Sequence, residues 1–91
     1  MDITSATPAA RIIDRFGVAN LSRWTGRHRS RVHAWTWPAA KGGTGGMIPR
    51  QVRAAICAGA LRDLHQTVDP CDFELRAGEA YLDFPAMRAF A

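Results

Sequence analysis

Leu21-Ser22-Arg23-Trp24-Thr25-Gly26-Arg27-His28-Arg29-Ser30-Arg31-Val32-His33-Ala34-Trp35 carries a recognisable spacing. Two helices that cross at a steep angle need a small residue at the crossing and a glycine free to take positive φ in the turn. They also need apolar residues that hold the second helix against the first. Ser22 is the small residue and Gly26 the turn glycine; Leu21, Val32 and Trp35 supply the apolar contacts. The spacing predicts a short helix over 18–25 and a second from about 29 to 37, where Pro38 stops it.

Working outward, Pro8 suits the first turn of a helix capped by Thr7 or Ser5. Ile12, Ile13 and Phe16 form its apolar face and Gly17 ends it. Downstream, Pro38-Ala-Ala-Lys-Gly-Gly-Thr-Gly-Gly46 reads as a loop with no core content. Ile48-Pro49 opens a fourth helix, with Val52, Ala55, Ile56, Gly59 and Ala60 at helical spacing to about Leu64. Asp69-Pro70-Cys71-Asp72 reads as a cap, a first-turn proline and a capping-box acid. A hairpin around Ala77-Gly78 is an alternative for the tail. The expected organisation is an N-terminal arm at 1–8, an all-α domain of four to five helices at 9–64, and a C-terminal extension at 65–91. The aromatic and aliphatic side chains of that extension imply that it docks on something.

The 91 residues suffice for one small domain, and 47% of them are apolar. A core of that size is marginal, so burial of further apolar surface between two chains is expected. Charge is divided along the chain. No acidic residue lies between Asp14 and Asp63, whereas Arg15, Arg23, Arg27, Arg29, Arg31, Lys41, Arg50, Arg53 and Arg62 fall in that window. An unopposed basic stretch is the electrostatic footprint of a nucleic-acid binder; a solvated basic surface without a target has the same composition.

Phe16-Gly17-Val18-Ala19-Asn20-Leu21-Ser22, Gly26, Val32-His33-Ala34-Trp35, the Lys41–Gly46 loop and Ile48-Pro49 together resemble the small Cro/repressor-like helix-turn-helix regulators of bacteria and their prophages. They are closer still to the YdaS/carph-isopro-type group. The resemblance covers roughly residues 9–64. It implies a compact all-α domain that binds operator DNA as a homodimer. Ser22 stands where the family often has Ala. His28-Arg29-Ser30 replaces the usual Ser or Thr cap of the second helix.

In a helix-turn-helix the start of the second helix enters the major groove. By position, Arg29, Ser30, His33 and Ala34 face the bases. Arg29 is suited to guanine O6 and N7, and Ala34 to a thymine methyl. Asn20, Arg23, Arg27, Arg31 and Lys41 read as phosphate contacts, which set register and not sequence. The glycine-rich loop is no Walker loop, because Lys41 precedes the glycines. Its amides join Lys41 on a phosphate, or it is a flexible connector. Trp24 and Trp35 are expected in the core. Trp37 packs under the fourth helix or lies against the sugar-phosphate backbone.

Cys57, His65 and Cys71 match no zinc spacing, and Cys57 reads as a small core residue. No arrangement of nucleophile, base and acid stands out, so no enzyme activity, metal or cofactor is expected. No segment reaches the length of a membrane span and the N-terminus has no secretory pattern, so a cytoplasmic, nucleoid-associated protein is expected. The expected function is sequence-specific binding of double-stranded DNA to regulate, and more specifically repress, transcription. The competing expectation is an antitoxin or phage accessory protein that acts on a protein partner through residues 65–91.

Overall fold

The computed structural model describes residues 7–82, and these are all-helical, with no strand among them. Four α-helices follow in order: α1 (Pro8–Phe16), α2 (Val18–Thr25), α3 (Arg29–Ala34) and α4 (Arg50–Leu64). Two single 3-10 turns, Ala39–Lys41 and Pro70–Phe73, complete the set. The side chains of Phe84, Met87 and Phe90, counted in the tail's apolar content, lie outside the described residues.

α1 starts where the sequence provides a cap. The Oγ1 of Thr7 accepts from the amide of Ala10 at 3.2 Å, and Pro8 fills the first turn, where its missing N–H costs nothing. Thr7 and Pro8 are buried, so the described end of the expected arm belongs to the domain. Ala9, Ile12 and Phe16 recur at helical spacing and face inward. Gly17, at φ 85°, turns the chain directly into α2. α2 buries Leu21 and Trp24 and ends at Gly26, a left-handed cap at φ 71° whose amide donates to the carbonyl of Ser22 at 3.0 Å.

α2 packs against both α3 and α4. The ring of Trp24 meets Phe16 edge-on at 5.4 Å and donates its Nε1–H to Oδ2 of Asp63 at 2.7 Å. Ile12, Leu21, Val32, Ile48 and Ile56 are fully buried around it. Each such side chain contributes about 1.5–3 kcal/mol relative to exposure.

Three expectations change here. First, the helix expected to reach Trp37 ends at Ala34. The amides of Trp35, Thr36 and Trp37 donate three residues back, to Val32, His33 and Ala34, so the chain tightens out of the α-helix, and the returning loop bonds the carbonyls of Ala34 and Trp35 through the amides of Thr44 and Gly46. Second, residues 38–46 are not a connector without core content. Gly45 and Gly46 are buried, and Gly46 accepts from the amide of Ala9 at 2.9 Å. Third, Ala77-Gly78 is a turn with no ladder beside it among the described residues. Gly78 takes φ 85° and the amide of Glu79 donates to Arg76.

The capping box at 69–72 forms as the sequence predicts, with Oδ2 of Asp72 accepting from the amide of Asp69 at 3.0 Å. It delivers Phe73, 2% exposed, into the core beside Val68. Arg11 on α1 then fastens the segment. It pairs in two-pronged fashion with Glu79, at 2.7 and 3.0 Å, and donates to the carbonyls of Asp72 and Glu74. Cys57 is half-buried against the core, its Sγ 3.6 Å from the carbonyl of Val68. Burial is the main reason its thiol is pushed up from its ordinary value.

Candidate nucleic-acid interface

The turn between α2 and α3 is held by side chains on both sides. The hydroxyl of Ser22 donates to the carbonyl of Arg27 at 2.6 Å, and Oγ1 of Thr25 accepts from the amide of Arg27 at 3.3 Å. His28 caps α3: Nδ1 of its ring accepts from the amide of Ser30 at 3.1 Å. α3 is only six residues long, so burial fixes it in place more than its own hydrogen bonds do. Val32 and Ala34 are buried, and Arg29, Ser30 and His33 are exposed.

The expected site residues therefore fall into two groups. Arg29 and His33, one turn apart, are exposed together, with Ser30 beside them. The Oγ of Ser30 lies 2.9 Å from Nδ1 of His28, so this hydroxyl is engaged at the cap. Arg27, Arg31 and Lys41 are exposed as well. Ala34 is not available to a thymine methyl: it is 3% exposed, with the returning loop closed over it at Thr44. Asn20 spends its amide within the fold. Its Nδ2 donates to the carbonyl of Phe16 at 2.9 Å and its Oδ1 accepts from Arg23 at 2.7 Å. Arg23 is also drawn to Asp63, at 3.3 Å. Hydrogen bonding from Arg62 above all, then from Trp24, holds the Asp63 carboxyl well below the usual carboxylate range.

The loop amides are unavailable to a phosphate. Every amide from Lys41 to Met47 donates within residues 34–47, those of Gly43, Thr44, Gly45 and Gly46 to Pro38, Ala34, Trp37 and Trp35 in turn. A methyl on Gly43 would lie 2.2 Å from the carbonyl oxygen of Trp37, so the glycine permits this close return of the chain. Trp35 is buried with Trp24, whereas Trp37 is 44% exposed.

Ion pairing divides the basic residues sharply. Among the described residues Arg11, Arg15, Arg23, Arg53, Arg62 and Arg76 each pair with a carboxylate. Arg27, Arg29, Arg31, Lys41 and Arg50 pair with none of the described carboxylates. These five are contributed by the turn, α3, the loop and the start of α4. Arg27 and Arg31 line one shallow cleft, walled by Gly42 and Thr44 of the loop and by Gln51 of α4. The opposite charge collects around α1 and the tail, where Glu79 and Asp72 meet Arg11, Arg15 and Arg76.

Three residues join the candidate face that positional reasoning did not assign to it: His28, Arg50 and Gln51. Arg50 lay in the acid-free window and was legible as charge. Gln51 enters through the fold alone, because α2 packs on both α3 and α4 and so brings the start of α4 to the cleft beside Arg27 and Arg31. Among the described residues no three His, Cys, Asp or Glu side chains gather as a metal site, and no helix is long and apolar enough to cross a membrane. No protein-family model, curated protein or solved structure matches this chain.

Proposed function

We propose that this chain is a sequence-specific double-stranded DNA-binding regulator of transcription, a repressor acting as a homodimer. In this reading α2, the turn and α3 form a helix-turn-helix, as in the Cro/repressor-like regulators that the sequence resembles. The observation that carries it is the set of five basic side chains, Arg27, Arg29, Arg31, Lys41 and Arg50, that have no partner among the described carboxylates and lie on the elements around α3, while six other arginines are paired. A duplex presents a phosphate charge every few ångströms and rewards such a face. α3 offers Arg29 and His33 outward to base edges in the major groove. Arg27, Arg31, Lys41 and Arg50 flank it as phosphate contacts. A dimer would set two copies of α3 about one helical turn of DNA apart, roughly 34 Å.

Action on a protein partner through the tail draws less support. Val68 and Phe73 are buried in the chain's own core and Glu79 is tied to α1, so these anchors of the tail are already spent within the chain.

The test is a gel-shift titration at physiological salt, with DNA from upstream of the protein's own gene against a scrambled duplex. We expect a preference for the native sequence. In Arg29→Ala, loss of a bidentate guanine contact should cost about 1–3 kcal/mol of discrimination. Equal binding of both duplexes by the wild type would contradict a sequence-reading role.

A further inference from the structure

The cap on α3 fixes more than the helix. Nδ1 of His28 accepts from the amide of Ser30, and a ring nitrogen that accepts carries no proton. The neutral imidazole has a single N–H, so these hydrogen bonds assign it to Nε2. His28 is exposed, and it sits among Arg27, Arg29 and Arg31, none of which pairs with a described carboxylate. The backbone at this point offers little to a ligand. The amide of Ser30 is spent on the ring, and those of Arg31 and Val32 on the carbonyl of His28. What the entrance to α3 presents is therefore the ring edge.

We propose that His28 contacts DNA through this edge: its Nε2–H, held as the donor by the cap on Nδ1, donates to an acceptor on the duplex. The inference rests on the DNA-binding reading above and adds a residue to it. A Ser, Thr or Asp at this position would cap α3 equally well. Ser and Thr have a single polar side-chain atom, spent at the cap, and the second oxygen of an Asp could only accept. A histidine caps with one nitrogen and keeps the other for the ligand, and capping settles which of the two bears the proton. The acceptor is a phosphate oxygen or a base edge, and the two predict different outcomes.

Two measurements on the full chain test this. Nitrogen-15 NMR of the imidazoles at neutral pH should show the Nε2–H tautomer for His28, with an Nε2 resonance that shifts when duplex DNA is added. An Nδ1–H tautomer, or ring signals indifferent to DNA, would overturn the proposal. His28→Ser keeps a capping oxygen and removes the ring. We expect unchanged helix content with an affinity loss of about tenfold, in line with one hydrogen bond to the duplex. An equal loss on all sequences marks a phosphate acceptor, and a loss confined to the native sequence marks a base. If His28→Ser binds as the wild type does, His28 has no role at the interface although the DNA-binding reading stands. If the wild type binds no duplex, both fall.

Discussion

Gly59 faces Trp24 across the α2–α4 contact. A methyl added there would lie 2.2 Å from Cγ of the indole. That ring cannot move aside, since its Nε1–H is held by Asp63 and its edge by Phe16. Alanine gains up to about 1 kcal/mol of helix propensity over glycine. Overpacking a rigid neighbour costs typically about 1–3 kcal/mol, so the steric cost wins. We predict that Gly59→Ala lowers stability by about 1–2 kcal/mol, read as a reduced urea midpoint at unchanged slope. A raised midpoint would mean that the α2–α4 contact is looser than described.

At the scale of elements, the tail is held by charge as well as by burial. Hydrogen bonding from Arg11 lowers the Glu79 carboxyl from its ordinary value. For Asp72, burial pushes upward but is outweighed by the amide of Asp69 and by Arg76 and Arg15. Both carboxylates are thus easier to ionise in the folded chain than in the unfolded one. Their contribution is complete above the ordinary values, 4.5 for Glu79 and 3.8 for Asp72, and is lost as pH falls below them. Thermal midpoints should therefore fall between about pH 5 and pH 3. Glu79→Gln should lower the midpoint at neutral pH and flatten this acid decline. An equally steep decline in Glu79→Gln would assign the acid sensitivity to other groups.

Element boundaries were legible in the sequence wherever one residue type decides the backbone. Thr7-Pro8, Gly17 and Gly26 mark the ends of α1 and α2, and Asp69-Pro70 marks the last 3-10 turn. What was not legible depends on contacts distant in sequence. The glycine loop reads as polar linker because glycine has no side chain to signal burial. Its role comes from backbone bonds to Ala34, Trp35, Trp37 and Ala9. α3 ends early where the amides of Trp35, Thr36 and Trp37 donate three residues back instead of four. Ala34, outward by position, is buried because the returning loop lies over it, the amide of Thr44 donating to its carbonyl at 3.2 Å. Asn20 and Arg23 were legible as polar but not as spoken for, since Asp63 lies 40 residues beyond Arg23.

Over the whole molecule, paired and unpaired charge occupy different regions. Arg27, Arg29, Arg31, Lys41 and Arg50 gather around α3, and Asp72, Glu74 and Glu79 of the tail are matched by arginines elsewhere. Affinity for a polyanion should accordingly depend on which arginine is removed and not on net charge. Each phosphate contact contributes about 0.9 to the slope of log affinity against log salt. The most direct measurement is that slope for duplex DNA, by fluorescence anisotropy, in the wild type, in Arg27→Gln/Arg31→Gln/Lys41→Gln, and in Arg62→Gln. Arg62 is exposed but paired with Asp63. The account predicts that the triple variant loses about 2 to 3 from the slope and that Arg62→Gln leaves it unchanged. Equal slopes in all three proteins, or no measurable binding by the wild type, would contradict a DNA-binding face centred on α3.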